Sequence, residues 1–218
     1  MRMLILGAVA AAGLAAPAAA EMELSFYTGT QSAPHSGVSG NSPGGVGNFD
    51  ATLAWEGRSG EAPPYYGFRA TWWQDNNWGY GVEFSHNKVY ANDAERAALG
   101  FSRLEFTDGL NLLTVNATKR WPQLWGKFSP YAGGGIGLSI PHVDVEDATS
   151  GAKTFEYQLT GAAVRLTAGT SYEINDRFSV FGEYQMTYSQ NKADLAGGGT
   201  LETNIVTNAL NIGVSMHF

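Results

Sequence analysis

From residue 21 onward, apolar and polar side chains exchange places at every second position, in segments separated by stretches rich in Gly, Asn, Asp and Ser. The segment 178–190 is the plainest. One phase carries Phe178, Val180, Gly182, Tyr184, Met186 and Tyr188, and the other carries Ser179, Glu183, Gln185, Thr187 and Ser189. The last segment repeats this, with Leu210, Ile212, Val214, Met216 and Phe218 set against Asn211, Gly213, Ser215 and His217. A period of two belongs to a β-strand, whose side chains point alternately to opposite faces. A soluble sandwich alternates as well, but its outward face is charged. Here that face is apolar with aromatic ends, the pattern of a wall that crosses a bilayer between two headgroup levels.

The pattern predicts spans at 22–30, 65–74, 78–89, 105–119, 128–140, 159–173, 178–190 and 204–218. Short connections at 74–77, 121–127 and 174–177 alternate with long ones at 31–64, 90–104, 141–158 and 191–203. Short turns on one side and long loops on the other are the asymmetry of outer-membrane barrels, and they place both chain ends in the periplasm. Residues 49–57 alternate too. Counting them would make a ninth span, which cannot return both ends to one side. They are expected as a hairpin-like excursion of the first outer loop, the alternative being that they displace 22–30 as the first span. The expected fold is all-β: a closed antiparallel transmembrane barrel of eight strands.

Composition narrows the picture further. No stretch of residues 21–218 approaches the twenty apolar positions that a spanning helix needs, so a spanning structure must be a closed barrel. Residues 1–20 are expected to be a signal peptide, with Arg2 as the positive start, Leu4 to Ala16 as the apolar stretch and Ala18, Ala19 and Ala20 as the cleavage site. There is no cysteine, which removes disulfides, thiol nucleophiles and thiolate metal sites. A net charge of -7 argues against nucleic acid as a partner.

The inward phase contains Arg69, Glu83, Arg165, Glu173 and Glu183 beside Tyr131, Gln185 and Asn211. Eight strands leave an interior that side chains fill, and charges inside it must pair. A lumen plugged by Arg–Glu pairs is therefore expected, with Gly133, Gly135 and Gly137 making room on one strand.

Candidate chemistry gathers at the outer rim. His35, His86 and His142 fall at outer strand ends or in outer loops, with Glu105, Asp108, Asp144, Glu146 and Glu156 at the same level. Imidazole and carboxylate together suit iron, manganese or zinc, and they supply acid–base groups near neutral pH. The spacing is not a metal motif, because the residues come from different loops. The competing reading is a solvated outer edge. A His-x-Ser arrangement on a strand is absent, and Ser85 and His86 point to opposite faces.

Two resemblances enter on these residues. The final strand ending in Phe218, with Gly67-Phe68-Arg69-Ala70, Trp78-Gly79-Tyr80-Gly81-Val82-Glu83-Phe84 and Pro130-Tyr131-Ala132-Gly133-Gly134-Gly135-Ile136-Gly137, resembles the OmpA/opacity-like eight-stranded barrels. The blocks at 26–29, 33–36, 55–57, 63–73, 83–90, 104–109, 140–145 and 155–161 resemble the lipid A oxidase family of α-proteobacterial outer membranes. That second resemblance implies oxygen-dependent oxidation of the proximal glucosamine of lipid A to aminogluconate, with a divalent metal, iron or manganese. It carries no motif that assigns catalytic residues. The residue reading supplies His86, His142 and Glu105 as catalytic candidates and His35, His86, His142 and Asp108 as metal candidates. The expected partners are outer-membrane lipid, with lipid A foremost, and the barrel-assembly machinery through the C-terminal strand. The barrel is expected to act as a monomer. The alternative function is a non-catalytic surface barrel serving envelope integrity, adhesion or serum resistance. Conduction of small solutes ranks third, because eight strands leave little lumen.

Overall fold

The computed structural model describes residues 21–218, so the expected signal peptide at 1–20 lies outside the described residues. The elements in chain order are β1 (Glu21–Ser42), β2 (Gly47–Glu56), β3 (Tyr66–Trp73), β4 (Trp78–Ala91), α1 (Asp93–Ala98), β5 (Phe101–Arg120), β6 (Phe128–Ser139), β7 (His142–Asp147), β8 (Lys153–Tyr157), β9 (Gly161–Asn175), β10 (Phe178–Leu195) and β11 (Gly199–His217). Eight of the strands close a ring in the order β1, β3, β4, β5, β6, β9, β10, β11. Closure runs along β1 and β11, from Glu23 opposite His217 up to Asn41 opposite Thr200.

All eight expected spans fall on ring strands. Residues 49–57 add no ninth span: β2 folds back on the upper half of β1 as a hairpin, with Val38 opposite Ala51, and its end pairs with β4, Trp55 opposite Ala91, above the end of β3. The long outer connections differ from the expectation of irregular loops. Much of 31–64 and 191–203 continues the strands of the ring, and 141–158 contains the β7–β8 hairpin. The reason lies in side-chain burial. The apolar phase that faces lipid lower down gives way to an apolar phase that faces inward, where Val38, Leu53, Trp55, Leu104, Phe106, Val143, Val145, Leu201 and Ile205 form one buried cluster. That core keeps the strands paired beyond the membrane.

The outer tips are tied together by Asp147. Its carboxylate accepts from the Ser42 hydroxyl and the Val46 N–H, both at 2.7 Å, and from the N–H groups of Thr149 and Ser150 at 2.8 and 2.9 Å. Burial pushes this carboxyl up, but those donors outweigh it and hold the group well below the usual carboxylate range.

At membrane level the wall shows lipid its apolar phase, with Ile212, Ile136, Leu210 and Val115 among the exposed large side chains. The lumen is plugged as expected. Arg165 pairs with Glu83 and also donates to Ser85 at 2.8 Å. Arg69 binds Glu183 at 2.9 Å and reaches Glu83 at 3.7 Å. Tyr27, Tyr131, Gln185 and Asn211 complete the bonding of the two carboxylates. Two guanidiniums thus offset two carboxylates, which removes the penalty an unpaired buried charge would carry.

Candidate functional site

Three places hold chemistry-bearing side chains: the lumen network just described, the periplasmic mouth and the outer rim. At the mouth a cavity of about 420 Å³ is lined by Glu21, Glu23, Trp73, Arg120 and His217 among others. Glu21, Glu23 and His217 are the histidine–carboxylate trio that brings its ligand atoms within 4.8 Å of one another. Each already has protein partners. His217 meets Glu21 at 2.9 Å, Arg120 donates twice to Glu21, and Trp73 and Ser215 donate to Glu23 at 2.8 and 2.9 Å. The group fastens the first strand to the last at the barrel seam.

The outer rim is built differently. On β4 the odd positions Glu83, Ser85 and Asn87 point into the barrel, so His86 lies on the outward phase with Phe84, Val82 and Tyr80. It is nevertheless buried. Its ring stacks on Tyr66 of β3, with centroids 5.1 Å apart, and lies against Gly109 of β5. Gly109 has a φ of +92°, and a Cβ there would collide with His86 Nδ1, so this position requires glycine twice over. The loop at 107–109 is an extra stretch in β5, where its register against β4 shifts between Asn87 and Val89.

The hydrogen bonds define the state of the imidazole. Asn111 Nδ2 donates to the Asp108 carbonyl at 3.1 Å, which turns Asn111 Oδ1 toward His86. His86 Nδ1 lies 2.9 Å from that oxygen and therefore carries the proton. Nε2 is buried and has no hydrogen bond among the described residues, although the Pro63 backbone lies close enough to the ring to bear on its charge. With the proton fixed on Nδ1, Nε2 is the basic nitrogen of the ring, the atom that a general base or a metal ligand uses.

His142, on β7, is the second buried imidazole. Phe155 and Tyr157 of β8 hold it edge-on, with centroids at 4.4 and 4.6 Å. Its Nδ1 has no hydrogen bond among the described residues and lies 3.8 Å from Asp108 Oδ2. Asp108 thus stands between the two histidines, close enough to bear on the charge of both His86 and Tyr157. Below them, across β3, β4, β5, β6 and β9, runs a lipid-facing groove of about 750 Å³ bounded by Trp72, Tyr80, Val82, Val115, Ile136 and Leu166. Val82 is four residues from His86, about 13 Å along the strand.

The structure corrects part of the candidate set. His86, His142 and Asp108 do come to one side of the wall. His35 does not join them. It sits exposed where β1 shifts register against both β2 and β11, and among the described residues it has no hydrogen bond or ion pair with the others. Glu105 lies higher on β5, opposite Asp144, and its carboxylate accepts from Arg103 at 3.1 Å. It belongs to an ion-pair ladder in which Arg103 also binds Asp144 at 3.0 Å and Lys153 lies 3.9 and 3.8 Å from Asp144 and Glu146. Asn111, Tyr66 and Tyr157 were not among the candidates. Asn111 leaves a trace in the sequence, since it is the polar member of an outward phase that continues as Leu113, Val115 and Ala117.

Residues 6–218 match the family of the outer membrane protein beta-barrel domain. Among solved structures, Neisserial surface protein A superposes with a TM-score of 0.52 at 14% identity, covering 90% of this chain and 97% of that one. OprG, an outer membrane protein of Pseudomonas aeruginosa, gives 0.53 at 11% identity, covering 91% and 96%. At such identities the likeness is one of fold. No curated protein matches the chain in sequence.

Proposed function

The chain belongs to the outer membrane protein β-barrel domain family and resides in the bacterial outer membrane, and from that premise we propose that its outer wall at His86, Asp108 and His142 binds and modifies lipid A. The observation that carries this reading is the buried His86, whose tautomer is fixed by Asn111 and whose Nε2 has no hydrogen bond among the described residues, on the outward face just above the lipid-facing belt and beneath the Pro63 backbone. A lumenal or solvated site would not need its base on the lipid side of the wall. The apolar groove beneath it suits an acyl chain, which would set a sugar headgroup at the height of the histidines.

The reaction is the one implied by the sequence resemblance, oxidation of the proximal glucosamine to aminogluconate with dioxygen as oxidant. In this account His86 Nε2 takes the proton of the free anomeric hydroxyl as the C1–H bond breaks. The hydrogen and electron pair of that bond pass to dioxygen, giving the lactone and hydrogen peroxide. Water then opens the lactone to the aminogluconate, one oxygen heavier than the sugar. Asn111 holds the imidazole in place as it becomes charged. Asp108 lies 3.8 Å from His142 Nδ1 and sets its negative charge near His86 as that ring takes up the proton. Tyr66 and Tyr157 offer ring faces and hydroxyls to the sugar.

The divalent metal implied by the same resemblance finds suitable donors here, two imidazoles and a carboxylate. It does not find the spacing. Among the described residues, these three do not bring their ligand atoms within 4.8 Å of one another as the periplasmic trio does. No step above therefore runs through a metal.

The test is mass spectrometry of lipid A from cells with and without the protein, grown in air. A species heavier by one oxygen, present only with the protein, is the expected product. An unchanged profile would reject the enzyme reading and leave the alternative of a non-catalytic surface barrel.

A further inference from the structure

Beside His86 Nε2, a second buried polar atom on this face of β4 has no hydrogen bond among the described residues: the ammonium of Lys88. Lys88 is fully buried. Its backbone is fully engaged, because the Gln31 amide accepts from its N–H at 2.8 Å and donates to its carbonyl at 2.7 Å. The Gln31 side chain thereby bridges β1 to β4 where β3 has ended and β2 has not begun. What remains open is the charge. The ring of Tyr90 lies 4.9 Å from Nζ, a cation–π contact that softens the desolvation without supplying an anion. The nearby carboxylate of Glu56 is already taken, by Arg58 at 2.8 Å and by Asn92 at 3.2 Å.

The segment 57–64 roofs this place. Arg58 also lies over the Tyr90 ring at 4.7 Å, and Ser59 accepts from the Gln31 N–H at 2.8 Å. Residues Gly60 to Pro64 are exposed above it, held by Glu61 N–H to the Arg58 carbonyl at 3.0 Å, Tyr65 N–H to the Ser59 carbonyl at 2.9 Å, an Arg58–Glu61 ion pair at 3.9 Å, and the Pro63 backbone close to His86. A buried cation without a counter-charge is costly, and a protein retains one where an anion arrives to meet it.

We propose that Lys88 is the anion anchor of this wall, taking a phosphate group of an outer-leaflet glycolipid when the 57–64 segment lifts, and so setting the sugar against His86. The proposal rests on the reading of the wall as a lipid A site and names the charge that selects the headgroup. Phosphate accepts charge-assisted hydrogen bonds from the ammonium, and a desolvated pairing of this kind is far stronger than the same pair in water. His86 and Lys88 are two residues apart on one face, about 6.6 Å along the strand, so a single headgroup meets both; the phosphate held is one away from the oxidised anomeric carbon, whose hydroxyl must be free.

The experiment uses the purified barrel in zwitterionic detergent micelles and reads the temperature at which its compact form unfolds on a gel. The probes are lipid A bearing phosphate, the same lipid A after enzymatic dephosphorylation, and inorganic phosphate alone. The wild type should be shifted upward by phosphorylated lipid A and not by the other two. Lys88→Met should unfold at a higher temperature than the wild type without lipid, since the uncompensated charge is gone, and should lose the lipid-dependent shift. Lys88→Arg should keep it. A Lys88→Met barrel that keeps the shift overturns the proposal, as does an equal response of the wild type to dephosphorylated lipid A. An equal response to inorganic phosphate overturns the glycolipid assignment. The two readings separate cleanly. Loss of the shift in Lys88→Met without any oxidised lipid A upholds the anchor and sinks the reaction, whereas oxidation with an unchanged shift in Lys88→Met does the reverse.

Discussion

A single strand, β11, passes through two solvents and reverses its polarity between them. In its lower half Val214, Ile212 and Leu210 face outward to lipid, while Ser215 and Asn211 face the lumen. In its upper half Asn204 and Glu202 face outward, while Ile205 and Leu201 are buried inside. The partner strand β10 does the same, with Lys192 pairing outward to Glu202 at 2.6 Å and Ala193 and Leu195 turned inward. Backbone and pairing are continuous through the change, so the reversal reflects the surroundings. In hydrocarbon, apolar side chains gain nothing by turning inward and polar ones must be satisfied within the lumen. In water the hydrophobic effect restores an apolar interior. The histidine site lies on the outer face at the boundary between these regimes, where apolar wall and polar headgroups meet.

The comparison can be broken at its strongest point first. Arg165→Ala should destabilise the barrel by about 3–5 kcal/mol, because it leaves the buried Glu83 carboxylate without its closest counter-charge. A heat-modifiability gel that shows unchanged unfolding would remove the pairing from the account. Next, Ile212→Lys should cost about 2–4 kcal/mol and impair assembly, as cations on the lipid face do. Asn204→Lys, outward on the same strand but above the membrane, should stay within about 0.5 kcal/mol of the wild type. Equal effects would mean that the reversal has been placed at the wrong height. The smallest effect concerns the tips. The Asp147 carboxyl is held below its unfolded-state value, so its contribution is fully present above the ordinary carboxylate range and is lost only as pH falls through the depressed value. Limited proteolysis of the outer hairpins should therefore stay slow from neutral pH into the mildly acidic range, and Asp147→Asn should be cut faster at neutral pH. Equal cutting of the two at neutral pH would remove the clasp.

The strand phases were legible because lipid exposure writes a period of two with aromatic ends. The ion pairs of the lumen followed from the few charged residues in the opposite phase, Arg69, Glu83, Arg165 and Glu183. What was not legible is the extension. Segments such as 191–203 carry the Gly, Asn and Asp expected of loops, yet alternate about an apolar core that lies inside, and that alternation competes in the eye with the lipid-facing one. The site was half legible. His86, His142 and Asp108 follow from antiparallel connectivity, since β5 runs between β4 and β7. His35 could not be separated from them by sequence, because a register shift in β1 decides its placement. Lys88 and Asn111 look like ordinary surface residues until their burial is known.

The most direct measurement is lipid A mass spectrometry on cells carrying His86→Ala, compared with His35→Ala, each checked for a folded barrel at wild-type abundance. The account predicts that His86→Ala abolishes the oxygen-dependent product and that His35→Ala leaves it unchanged. Product from the folded His86→Ala barrel at the wild-type level would contradict the assignment of the outer wall as the site of chemistry.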